Sequence, residues 1–181
     1  MNAQTQKGDW VFARNLVASI CKLNEFVGQL LIYVVIGMVL VLSYETSARY
    51  IFGAPTSWAL IVSEWLLGTL AICGWGYTYK EGGHVRVDVI YSLLSKRRQA
   101  LIDVIMSLIF MFPLIGILIW SAIKMAVRSW RTGELIVESG WMPLAAPFRT
   151  VMLVGLLLFG LQCLAQFLCD VYYLFKGREL L

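Results

Sequence analysis

Apolar residues along this chain gather into four long runs, roughly 26–47, 58–79, 104–127 and 148–169, separated by short polar connections. A helix needs about 20 mostly apolar residues to cross the roughly 30 Å hydrocarbon layer of a bilayer, and each run meets that length. The runs are continuous, without the out/in alternation of a barrel strand, so the pattern predicts helices. The expected fold is all-α and integral to the membrane: one domain of four transmembrane helices over residues 1–181.

The polar stretches refine this outline. Before the first run, Leu16, Ile20, Leu23 and Val27 recur at i, i+4, i+7 and i+11, one face of an N-terminal amphipathic helix at the interface. The long apolar core that follows, with no small-residue cleavage site, reads as a retained anchor and not as a signal peptide. Between the first two runs, Gly53 and Pro55 break the helix, and Thr56 or Ser57 is placed to cap the next one. Trp58 then stands where indole rings favour the interface.

A charged island interrupts the chain at its middle: Lys80-Glu81-Gly82-Gly83-His84-Val85-Arg86-Val87-Asp88, reaching Lys96-Arg97-Arg98. Val87, Ile90, Tyr91 and Leu94 share a helical face, so a central amphipathic surface helix is expected within segment 80–100. Asp103 is expected to open the third span and Pro113 to kink it. Residues 128–146, with Trp130, Trp141 and Pro143, suit an ordered loop at the outer interface.

Charge sets the orientation. With both ends inside, ten basic residues (Lys7, Arg14, Lys22, Lys80, Arg86, Lys96, Arg97, Arg98, Lys176, Arg178) lie on the inner face, against five outside (Arg49, Lys124, Arg128, Arg131, Arg149). The positive-inside rule therefore places both termini in the cytoplasm. The 181 residues are 60% hydrophobic and 14% charged, and the net charge of +4 belongs to span flanks, not to a nucleic-acid surface. Cys21, Cys73, Cys163 and Cys169 fall in or beside the runs, without the paired spacing of a metal or redox site.

Chemistry is sparse. His84 is the only histidine, which excludes a bis-histidine haem, and no nucleotide-binding or zinc-protease word is present. No catalytic residue, cofactor or metal is expected. His84 and Asp88, at i and i+4, supply two ligands at most and read as structural. Glu64 is the informative residue. Glu64, Gly68, Ala71 and Trp75 fall at i, i+4, i+7 and i+11, and a carboxyl facing lipid costs several kcal/mol. That face should point at protein, with small residues allowing close approach. Glu45, near the outer end of its span, is expected to reach water.

Several of these words together resemble one family. Arg49-Tyr50-Ile51-Phe52-Gly53-x-Pro55-Thr56-x-Trp58, then Ser63-Glu64, then Glu81-Gly82-Gly83-His84-Val85-Arg86-Val87-Asp88, are similar to the DctQ-like small membrane subunit of tripartite ATP-independent periplasmic (TRAP) transporters. Ser129-Trp130, Gly133-Glu134 and Trp141-x-Pro143 extend the resemblance; Ala59-Leu60-Ile61-Val62 departs from it where members often carry an acid. The resemblance implies a non-catalytic inner-membrane subunit that scaffolds a large DctM-like membrane subunit. Ion-coupled uptake of an organic acid, delivered by a periplasmic substrate-binding protein, would follow. Candidate partner contacts are Arg49, Trp58, Glu64, Gly68, Ala71, Trp75, His84, Arg86 and Asp88, with membrane lipids around them. An autonomous carrier using Glu64, or the membrane anchor of another complex, are the alternatives.

Overall fold

The computed structural model describes residues 3–81, 94–137 and 140–177, with side chains described from residue 11 onward except at 12. Four helices account for most of them: α1 (Ala3–Tyr50), α2 (Ala59–Lys80), α3 (Lys96–Thr132) and α4 (Ala146–Lys176). All four are long and apolar enough to cross a membrane. Among the described residues the only extended pairing is a single antiparallel bridge, Leu135 with Leu144, in the loop between α3 and α4.

The expected N-terminal amphipathic helix is not separate from the first span. α1 runs unbroken for 48 residues, about 72 Å at 1.5 Å per residue. Its buried and half-buried positions include Val17, Ile20, Asn24, Val27, Leu31, Val34, Met38, Val41, Glu45 and Ala48. That alternation of three and four is the 3.5-residue repeat that keeps one seam against its neighbours over a great length. Of the amphipathic face read from the sequence, Ile20 and Val27 fall in this seam, while Leu16 and Leu23 are exposed. In lipid the outside of a helix is as apolar as its inside, so apolar periodicity alone does not select the buried face.

α4 is the hub, touching α1, α2 and α3, while α3 packs chiefly on α4. The most apolar window of α4 is 39% buried inside the bundle, against 6% for those of α1 and α3. Most of α1 and α3 therefore offers apolar side chains to lipid or to another protein. Gly155 of α4 permits the α2 contact: a Cβ there would meet Ile72 Cγ2 at 2.7 Å and the Cys73 backbone nitrogen at 3.2 Å.

About two turns further along α4, a buried polar bond joins α1 to α4 beside α2. Asn24 of α1 donates from Nδ2 to Gln162 Oε1 of α4 at 2.9 Å and to its own Ile20 carbonyl at 3.2 Å. Gln162 in turn donates to Cys21 Sγ at 3.7 Å. Asn24 Oδ1 has no hydrogen-bond partner and points to the position that a Cβ on Gly76 of α2 would occupy. The glycine hydrogen there fits the weak Cα–H···O contact found at helix interfaces. All four cysteines are free thiols, with Cys73 and Cys163 buried in helix contacts.

α3 differs from expectation at its start. It begins at Lys96, so Asp103 stands about two turns inside the helix and does not open it; the first turn contains no acid. The disturbance expected at Pro113 takes the form of a π-helical turn, Ser107–Met111, closed by the Phe112 N–H donating to the Ser107 carbonyl. Proline lacks the N–H that would bond four residues back, and the widened turn just before it absorbs that defect.

The tight crossing at Gly76 makes a test. Gly76→Ala forces a methyl group onto Asn24 Oδ1 and is expected to destabilise the bundle by about 1–3 kcal/mol, the usual range for overpacking. Gly74→Ala, whose methyl would meet Leu31 Cδ1 at an ordinary 3.6 Å, is expected to be neutral. Melting of both variants in the same detergent decides it; equal stability would show that the crossing is looser than described.

Candidate functional site

Two polar clasps close the bundle at the end where α1 meets α2 and α3 meets α4. In the first, Glu45 is buried rather than in water, because residues 51–57 fold back over it. Glu45 Oε1 accepts from Arg49 Nε at 3.0 Å and Nη2 at 2.6 Å. Its Oε2 accepts from the Thr56 backbone N–H at 3.1 Å and from the Thr56 hydroxyl. Thr56 thus serves Glu45 and does not cap α2; the N-cap position falls to Trp58, with no side-chain capping bond. Trp58 stacks on Tyr44 at 5.8 Å.

The second clasp explains the Ser129–Glu134 word. Gly133 ends α3 with φ near 60°, a left-handed conformation that suits glycine, and this turns Glu134 back toward Arg149 of α4. Arg149 grips the carboxylate with two nitrogens at 2.6 and 2.8 Å, and also donates to the fully buried Ser129 hydroxyl. The forked pairing fixes direction as well as distance. Trp130 Nε1 donates to Thr150 at 3.0 Å beside it. Arg149 was missed as a site residue because its partner is contributed by a different element.

At the opposite end Lys80 closes α2 onto α1, reaching Glu25 at 3.0 Å. α2 also carries an open stripe. Leu60, Glu64, Leu67, Ala71 and Thr78 are exposed and fall on one stripe, turned away from α1 and α4. Among the described residues Glu64 has neither an ion pair nor a hydrogen bond. Trp75, 41% exposed, straddles the border of the stripe and contacts Phe159 edge-on at 5.6 Å. Gly68 is turned from the stripe toward α4, where a Cβ would meet Phe148 at 2.7 Å; Trp65 stacks on the same ring at 5.6 Å.

Of the candidate residues, then, Glu64, Ala71 and Trp75 come together on an open face. Arg49 and Trp58 belong to the turn at its end, and Gly68 serves packing within the chain. His84, Arg86 and Asp88, and the central surface helix expected around them, lie outside the described residues. Among the described residues no three His, Cys, Asp or Glu side chains are grouped to hold a metal ion.

The second clasp predicts a pH response. The Arg149 guanidinium beside Glu134 holds its carboxyl below the ordinary 4.5. A depressed carboxylate stabilises the fold fully above its unfolded-state pKa, and that stabilisation is lost as pH falls through the folded value. The melting difference between the unmodified chain and Glu134→Gln should therefore stay level from neutral pH down to about 5 and shrink below 4.5. A difference independent of pH in acid would remove the charge from the explanation.

A search of curated proteins returned no match. The family model described as "Tripartite ATP-independent periplasmic transporters, DctQ component" matches residues 38–172, from the last third of α1 to near the end of α4. That stretch holds both clasps, all of α2 with its open stripe, and the α4 hub. The chain belongs to the DctQ family, the small multi-pass inner-membrane component of TRAP transporters, a transporter part and not an enzyme.

Proposed function

We propose that this chain is a scaffold for the large DctM-like membrane subunit, and that the open stripe of α2 is where the two meet. The observation that carries the reading is Glu64, a carboxyl with no ion pair or hydrogen bond among the described residues, on an exposed face that is apolar apart from Thr78 at its far end. A lipid-facing carboxyl is costly, and the cost falls if a polar group on a neighbouring membrane helix meets it. Ala71 lets a helix come close at the middle of the stripe, and Leu60 and Leu67 supply contact area around the acid.

The finer assignment follows the family. The complex would perform ion-coupled uptake of an organic acid delivered by a periplasmic binding protein, with both termini of this chain in the cytoplasm. The ten-to-five distribution of basic residues supports that orientation. His84, Arg86 and Asp88 would anchor the inner surface segment of the chain, and Arg49 and Trp58 would shape the outer turn beside the stripe.

Ala71→Trp and Glu64→Leu test the face. Each should reduce the large subunit recovered with the tagged chain by about tenfold or more, the effect of losing roughly 1.4 kcal/mol of binding, and uptake should fall in parallel. Ile117→Trp on the exposed face of α3 serves as the control and should leave recovery unchanged. Normal assembly and uptake in both α2 variants would assign docking to another face. Transport by the purified chain alone in liposomes would replace the scaffold reading with autonomous carriage.

A further inference from the structure

Where α3 begins and α4 ends, the bundle has a groove of about 530 Å³, lined by Ser95, Arg97, Arg98, Leu101, Leu174 and Phe175. The volume is within the range of small-molecule sites, about 300–1,000 Å³. Its two halves differ in chemistry. Arg97, Arg98 and the Ser95 hydroxyl form a polar rim, while Leu101 and Leu174 make an apolar wall with Phe175, which is 77% exposed.

The rim is not neutralised from within. Lys96, Arg97 and Arg98 follow one another in the first turn of α3 with no acid among them. Among the described residues neither guanidinium has an ion pair. The Ser95 hydroxyl makes no capping bond to the helix. Two planar donors with no ion pair among the described residues, set over an apolar wall at the end of a membrane bundle, match an amphiphile with an anionic head.

We infer that this groove is a binding site for one anionic phospholipid, with its phosphate on Arg97 and Arg98 and its acyl chains along Leu101, Leu174 and Phe175. Guanidinium forks match phosphate oxygens in a bidentate manner that a compact ammonium does not. Basic pockets between membrane helices favour such head groups for the same reason. A bound lipid would join the start of α3 to the end of α4.

The full chain, purified in mild detergent and titrated with phosphatidylglycerol or phosphatidylcholine, is read by native mass spectrometry. Phosphatidylglycerol should be retained about 30-fold more tightly, the effect of two basic contacts near a membrane surface. Arg97→Gln/Arg98→Gln should abolish the preference, while Arg128→Gln/Arg131→Gln, which removes equal charge at the other end, should keep it. Leu101→Ser should weaken retention of both lipids, and glycerol phosphate should not displace them. Equal retention of the two lipids by the unmodified chain, or equal loss in both arginine pairs, would overturn the site. Displacement by glycerol phosphate would reduce it to an anion site only.

Discussion

In a bilayer, apolar surface gains nothing by moving from lipid to protein, so helices that associate there depend on close backbone approach and on polar groups with no better partner. The crossing of α1, α2 and α4 meets both conditions within about two helical turns. Gly155 brings α4 against α2, Gly76 leaves room for Asn24, and Asn24 reaches across to Gln162, 138 residues away. A buried amide at a seam position also fixes register, since a slide of one turn would leave two amides without partners. The seam of α1 therefore has a single alignment, and the outer clasps can form at its far end.

Those clasps turn a helix crossing into a defined surface. Glu45 and Arg49 hold the first connection, and Glu134, Arg149 and Ser129 hold the third, so the start of α2 and the start of α4 are both fixed. With α1 and α4 occupying two sides of α2, the remaining side is left open along its length. The stripe with Glu64 is in this sense produced by the rest of the packing: it is the face of α2 that the described residues of its own chain do not cover. The scaffold role proposed above would need this kind of rigidity, since a docking face that shifted with each neighbour could not hold a partner in place.

Much of this was legible beforehand. The four spans followed from apolar runs, because length and hydrophobicity are properties of contiguous residues and lipid demands both. The stripe through Glu64, Ala71 and Trp75 followed from a single costly carboxyl at helical spacing, and the structure brings those three together on an open face. Gly68 shows the limit of that reading. Its spacing places it beside Glu64, but a rotation of a few tens of degrees decides that it meets Phe148 instead. Glu45 shows another limit: proximity to a span end suggested water, and the returning turn supplied Arg49 and Thr56.

The sequence by itself determined the number of helices, their approximate extent, the sign of the flanking charges and the family, since each is written in neighbouring residues. Tertiary structure decided which face of each helix is inside. On α1 the buried seam contains Asn24 and Glu45 beside Leu31, while Leu16, Leu23, Leu30 and Leu40 face outward, a division that hydrophobicity alone would not select. Only packing supplies the partners, Gln162, Thr56 and Arg149 among them, that make a buried polar group cheaper than an exposed one. Polar satisfaction depends on which helices meet and at what rotation, and no local stretch of chain carries that information.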